Sequence, residues 1–219
     1  MQQLTLRRSA REPLRVLFLG AHSDDIEIGC GGTLLRILAA HPKASVHWVV
    51  FSGQGTRAAE ARNSARNLLR KAVDPTISIE DFRDGFFPYQ GAELKAYFER
   101  LKGLVHPDVI FTHHLVDRHQ DHRAVAELTW NTFRDHLILE YEIPKFDGGL
   151  VTPNHFVPLD AATCRRKVRH LMRAFPTQRD KPWFGEDTFL GVMRLRGVEC
   201  ASRTGYAEGF HVSKGVFEW

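Results

Sequence analysis

Two short polar stretches carry most of the chain's capacity for chemistry. His22-Ser23-Asp24-Asp25 follows the apolar run from Arg15 to Gly20, and Asp117-Arg118-His119-Gln120-Asp121-His122 follows the one ending near His113. A zinc ion in a hydrolase takes three N or O ligands from the protein and keeps one position for water. His22, Asp25 and His122 can supply such a set. His22 and Asp25 stand three apart, so a turn leaving a strand can aim both at one ion. Asp24 then falls beside the water without binding the metal, where a general base is needed. The implied chemistry is hydrolysis with one zinc ion per chain.

Each stretch also has a plainer reading. Ser and Asp are favoured helix N-caps, and His119 and His122 can be surface histidines opening a helix. The plainer reading weakens when both stretches lie at one sheet edge, because ligands of open α/β sheets bind beyond the carboxyl ends of the strands. Gly29, Gly31 and Gly32 do not have GxGxxG spacing, and a pyrophosphate would meet Asp24 and Asp25. These glycines are read as permitting close packing of helix on strand.

The elements that must position these residues follow from apolar patterning. Strands are expected at Arg15 to Gly20, Val46 to Phe51, Thr76 to Ile79, Val109 to His113 and Leu137 to Tyr141. Helices are expected at Gly32 to Ala40, Arg57 to Val73, Ala92 to Leu104, Arg123 to Arg134, Ala161 to Phe175 and Trp183 to Arg196. Pro144, Gly148, Gly149, Pro153 and Pro158 mark a loop-rich stretch, and Tyr206 to Val212 reads as a last strand or an extended segment over the site. The alternation predicts an α/β fold, a Rossmann-like, mostly parallel sheet with helices on both faces. A single domain over residues 1–219 is expected, with 1–13 a polar lead-in.

Composition narrows the partners. The net charge of +4 is spread among 26 acidic residues rather than gathered in a tail, which argues against nucleic acid. Arg165, Arg166, Arg169 and Arg173 suit the wet face of an amphipathic helix. Cys30, Cys164 and Cys200 are too few and too scattered for a disulfide framework or a CxxC knuckle, so a reducing cytoplasm is expected. The first thirteen residues carry Arg7, Arg8 and Arg11 without an apolar segment, so no secretory signal is expected, and no apolar run approaches the ~20 residues that span a bilayer, so no membrane association is expected.

His22-Ser23-Asp24-Asp25, the run Ile26 to Thr33 and His119-Gln120-Asp121-His122 together resemble the PIG-L/LmbE-like zinc N-deacetylases. Arg57 with Glu60, and Tyr206-Ala207-Glu208-Gly209-Phe210, extend the resemblance over most of the chain. It implies that His22, Asp25 and His122 hold Zn2+, that Asp24 is the general base, and that His119 faces the substrate carbonyl with Asp121 supporting its imidazole. In that scheme a protonated His119 shares the oxyanion with the ion. The resemblance further implies an N-acylated, N-acetylglucosamine-type sugar or sugar conjugate as substrate, and association of several copies. The family pattern has proline where this chain has Ser23 and Gln120, and often a glutamate in the loop that reads Ser52-Gly53-Gln54-Gly55-Thr56 here.

On the substrate side, Arg57, Arg118, His114 and Asn154 are the candidates near strand ends. Arg57 can instead pair with Glu60 along a helix, and His114 can satisfy buried backbone. Trp183, Phe184 and Trp219 can stack on a sugar, although such aromatics more often fill a core. Two rivals remain: a phosphoesterase with paired divalent metals ~3.5–4 Å apart, and a non-catalytic ligand-binding protein on the same scaffold.

Overall fold

Val16 and Phe18 alternate with Leu17 and Leu19 along one strand, and all four are buried. Burial on both faces is the pattern of a central parallel strand. In the computed structural model, which describes residues 3–4 and 12–216, this strand is β1 (Arg15–His22). It joins β2 (Ser45–Ser52), β3 (Thr76–Ile79), β4 (Val109–His113), β5 (Leu137–Tyr141), β6 (His155–Leu159) and β7 (Tyr206–His211) in a seven-stranded sheet of order β3-β2-β1-β4-β5-β7-β6. The first five strands are parallel, while β7 runs antiparallel to both β5 and β6. The expected mostly parallel sheet is present, and the segment from Tyr206 is a strand within it.

Among the described residues six α-helices cover the two faces: α1 (Asp25–Ala40), α2 (Gly55–Leu68), α3 (Gly91–Leu104), α4 (Gln120–Thr132), α5 (Ala161–Ala174) and α6 (Glu186–Glu199). Leu34, Ala61, Val168 and Met193 pack with Val16 and Phe18 on one face. Leu94, Phe98 and Val125 pack with Leu17 and Leu19 on the other. Arg165, Arg166, Arg169 and Arg173 are exposed along α5, opposite buried Cys164, Val168 and Leu171. Arg7, Arg8, Arg11 and Trp219 lie outside the described residues.

Several boundaries differ from expectation; α2, for one, ends at Leu68 rather than Val73. α1 begins at Asp25 rather than Gly32, and α4 at Gln120 rather than Arg123. Their first turns are buried yet polar, holding Asp25, Glu27, Asp121 and His122, so hydrophobic periodicity does not reveal them. α6 begins at Glu186, which leaves Trp183 in the preceding loop. β6 lies in the stretch expected to be loop; Pro158 is tolerated there because β6 is an edge strand.

α1 is broken at Cys30, whose φ of −142° and ψ of 19° are not helical. The break frees backbone groups that side chains from distant elements satisfy. Glu208 on β7 accepts from Gly32 N at 2.8 Å and Thr33 N at 2.6 Å. Lys167 on α5 donates to Ile28 O at 2.5 Å and to Glu208 Oε1 at 2.6 Å. Gly29 lies so close to Tyr141 that a Cβ there would overlap the ring. The expected close packing of helix on strand is therefore met, and it sets where the first turn of α1 sits above β1.

The direction of winding changes between neighbouring β1 and β4, which opens a crevice beyond their carboxyl ends. Both polar stretches emerge there.

Candidate functional site

His22 is the last residue of β1, Asp25 the first of α1, and His122 lies in the first turn of α4. His22 Nδ1 is 3.2 Å from His122 Nε2 and 3.3 Å from Asp25 Oδ2, and His122 Nε2 is 3.5 Å from that same oxygen. Ligands about 2.0–2.1 Å from a tetrahedral ion lie roughly 3.3–3.4 Å from one another. These three atoms therefore form a triangle of the size that one face of such a site requires.

The opposite ring nitrogens are held by carboxylates. His122 Nδ1 contacts Asp117 Oδ2 at 2.9 Å, and His22 Nε2 lies 3.2 Å from Asp121 Oδ2 and 3.1 Å from Asp84 Oδ1. A carboxylate on one imidazole nitrogen keeps the proton there and leaves the other lone pair for a metal. Burial and the neighbouring His113 keep His122 neutral, its pKa pushed down to about 3. Burial works against a charged His22, yet Asp25, Asp121 and Asp84 together hold its pKa well above the ordinary range. The carboxylates thus favour positive charge at this point. Burial opposes ionisation of Asp25, and the three surrounding imidazoles more than offset it.

Asp24 occupies the N-cap position of α1 but makes no side-chain capping bond, so the plain capping role is not what it does. Its Oδ1 accepts from Arg57 Nη2 at 3.3 Å, whereas its Oδ2 is buried without a partner. Burial, then the charge of Asp25, pushes its pKa up to about 6, against the pull of Arg57. His119 does cap α4: its Nδ1 accepts from Asp121 N at 3.2 Å. That bond puts the ring proton on Nε2, and burial, followed by the nearby His22, holds the imidazole below its ordinary pKa. A neutral ring donating from Nε2 fits these surroundings better than the protonated one expected.

Asp121 hydrogen-bonds His119 through its backbone N, and its charge favours a protonated imidazole without prevailing over burial and His22. Its carboxylate accepts from Gly85 N at 2.6 Å and Phe87 N at 3.1 Å while contacting His22. It ties the loop after β3 to the site.

His22, Asp24, Asp25, His119 and His122 line one open cleft of about 280 Å³, together with Arg57, Asp84, Lys145, Lys181 and Trp183. A sequence profile described as PIG-L: GlcNAc-PI de-N-acetylase matches residues 17–133, more than half of the chain and both polar stretches. The chain belongs to the PIG-L family. A relative in Escherichia coli (strain K12), the uncharacterized deacetylase YaiS, is 32% identical over 150 residues, covering 64% of this chain and 79% of its own. Among solved structures, a conserved protein of Thermus thermophilus superposes with a TM-score of 0.72 at 24% identity, covering 94% of this chain and 97% of that one. The N,N'-diacetylchitobiose deacetylase of Pyrococcus horikoshii superposes with a TM-score of 0.65 at 20% identity, covering 90% and 83%.

Asp84, Lys145, Phe146, Asp147, Gln178 and Lys181 line the cleft without having been singled out by sequence reasoning, Asp84 inside the matched PIG-L segment and the others beyond it. Lys145, in the loop after β5, donates to both oxygens of Asp117, at 2.8 and 2.9 Å, and so fixes the carboxylate that holds His122. Burial opposes the ionised form of Asp117, and His122 and Lys145 outweigh it. Asp84 follows β3, at the same sheet edge as the two polar stretches, which is a signal its position could have offered. Lys145 lies in the punctuated stretch and has no such signal.

Of the four substrate-side expectations, Arg57 is in the cleft. The structure does not place the other three among the residues lining it. Arg118 donates to Asp147 O at 2.8 Å and holds the loop at the rim. His114 Nδ1 accepts from Val116 N at 2.9 Å, the backbone role foreseen for it. Asn154 makes two bonds to the backbone of Val212, at 3.1 and 2.9 Å, joining β6 to the end of β7. Glu60 does not pair with Arg57; it accepts from Thr177 N at 3.0 Å and Thr177 Oγ1 at 2.5 Å. Phe184 is core, whereas Trp183 is half-buried and lines the cleft. Among the described residues no helix is long and apolar enough to cross a membrane.

Proposed function

We propose that this chain is a zinc-dependent N-deacetylase that releases acetate from a small sugar or sugar conjugate of the N-acetylglucosamine type, with one Zn2+ per chain on His22, Asp25 and His122. The observation that carries the reading is the triangle of ligand atoms, 3.2–3.5 Å on a side, with the far nitrogen of each histidine held by a carboxylate. The donor set of two imidazoles and a carboxylate is one that catalytic zinc takes. The names of the relatives support the acyl group and the sugar: YaiS is called a deacetylase, and the Pyrococcus horikoshii enzyme is named for N,N'-diacetylchitobiose.

When bound, zinc supplies Lewis acidity, acidifying water and polarising an acyl carbonyl. Asp24 accepts the proton of the attacking water, with Arg57 holding its other oxygen. A carboxylate whose pKa lies near 6 is ionised at neutral pH yet still basic enough to take that proton. His119 donates from Nε2 to the carbonyl oxygen as it gains charge; such a donor is typically worth about 2.7–4 kcal/mol. Protonated Asp24 then returns its proton to the leaving nitrogen, and acetate and a free amine depart.

Acetate release from a panel of N-acetylated sugars by zinc-loaded enzyme tests the reading; no release from any of them would refute it. A second reading, phosphoester hydrolysis with paired metals, draws on the convergence of Asp84, His119 and Asp121 around His22, whose ligand atoms lie within 4.8 Å of one another. Both carboxylate oxygens of Asp121 and Nδ1 of His119 already accept backbone N–H groups, which weighs against a second ion there. Two bound metals with phosphatase turnover would favour it.

Asp117→Asn is expected to weaken zinc binding about 10- to 100-fold, because an amide cannot favour the proton on His122 Nδ1 as a carboxylate does. Competition with a chromogenic chelator measures this, and unchanged affinity would remove Asp117 from the metal site.

A further inference from the structure

Three side-chain ammonium or guanidinium groups line the cleft, and two of them are already balanced by carboxylates. Arg57 pairs with Asp24 at 3.3 Å and Asp84 at 3.4 Å. Lys145 pairs with Asp117 at 2.8 Å and Asp147 at 3.5 Å. Lys181 differs. Its Nζ donates to Gln178 Oε1 at 2.6 Å, and no described carboxylate lies within ion-pairing distance of it.

The tether of Lys181 is built rather than incidental. Gln178 is buried, and its amide donates to Thr177 Oγ1 at 3.1 Å. Thr177 is fixed in turn by two bonds to Glu60 on α2. An exposed lysine usually loses nothing by moving freely in water and gains little from one surface contact. Here a chain of bonds from a helix holds the ammonium at the cleft through a neutral amide. The amide orients it without cancelling its charge, and two N–H donors remain free. Beside it stands Trp183, with Nζ 5.5 Å from the ring centroid, a face on which a sugar ring can stack.

We infer that Gln178, Lys181 and Trp183 form a subsite for an anionic substituent, a carboxylate or phosphate borne by the N-acetylated sugar. This rests on the deacetylase reading above and narrows its substrate to acidic sugar conjugates. The charge of Lys181 pairs with the anion, and the described contacts of Lys181 are with Gln178 and Trp183 rather than with the ligand triangle. Its contribution is to substrate binding and not to the chemical step.

The test is steady-state acetate release by the full-length, zinc-loaded enzyme from N-acetylglucosamine, its 6-phosphate, and N-acetylmuramic acid, whose lactyl group carries a carboxylate. KM for the acidic sugars is expected about tenfold below that of the neutral one, as a charge-assisted hydrogen bond gives. Lys181→Met should abolish that preference, bringing the ratio of acidic to neutral KM values to about one with kcat changed far less than KM, the signature of lost ground-state binding. Lys181→Arg should restore the preference. A response confined to the phosphate or to the lactyl carboxylate identifies the anion. A Lys181→Met enzyme with the wild-type ratio of KM values overturns the subsite. Calorimetric binding of glucosamine 6-phosphate against glucosamine decides the matter without turnover. If no sugar is deacetylated but the phosphate's advantage vanishes in Lys181→Met, the subsite stands and the reaction assignment falls; equal binding by both proteins overturns the subsite itself.

Discussion

Asp24→Asn is expected to retain one zinc per chain and to lose about 10²–10⁴ of kcat, the contribution typical of a positioned general base. Asp24 is outside the triangle formed by His22, Asp25 and His122, so the substitution removes no ligand. Asn has the same shape, and its amide oxygen can still accept from Arg57 where Asp24 Oδ1 does. What it cannot do is take a proton at the position of Oδ2, the buried atom that no protein group satisfies. Asp24 also makes no capping bond to α1, so the helix loses nothing that its side chain was supplying. Metal analysis and kcat must be measured on the same preparation. Full turnover would remove Asp24 as base, whereas metal loss in step with activity would make it a ligand.

The same residues show how far a sequence can be read. β3, β4 and β5 have the expected ends because each is a short apolar run closed by breaks in pattern. The two polar stretches were legible as one site because the order of strands puts their loops at one edge. The starts of α1 and α4 were not, since the first turn of each buries carboxylates and an imidazole for the sake of the site. Such conflicts between local pattern and observed burial are expected where function overrides folding preference.

The supporting residues were hidden for a different reason. Glu60 stands three residues after Arg57, a spacing that suggests a pair on one helix face. It turns instead to Thr177, 117 positions away, and thereby sets the wall that carries Lys181. Lys145 reaches back 28 positions to Asp117. No periodicity encodes these approaches; they exist only once β5, α2 and the loop before α6 are in place. Asp121 shows the same limit, because its neighbour in sequence is His119 but the ring its carboxylate contacts is that of His22.

His122→Ala should lose both metal and turnover, and the contrast with Asp24→Asn separates binding from proton transfer. Two ligands from β1 and α1 remain, but His22 and Asp25 are only three residues apart and leave the α4 side of the ion open. His113 is the obvious substitute, since its ring stacks on His122 at 3.9 Å between centroids and its Nε2 lies 3.2 Å from Asp25 Oδ2. That nitrogen already accepts from Ala21 N at 2.9 Å, so its lone pair is engaged. Asp117 keeps Lys145 at 2.8 Å after the imidazole is gone, which avoids the several kcal/mol that an unpaired buried charge costs. The variant is therefore expected to fold, with metal content far below one per chain by mass spectrometry and acetate release at background. A folded His122→Ala protein that still held one zinc with wild-type affinity would place the ion elsewhere and leave the triangle without a role.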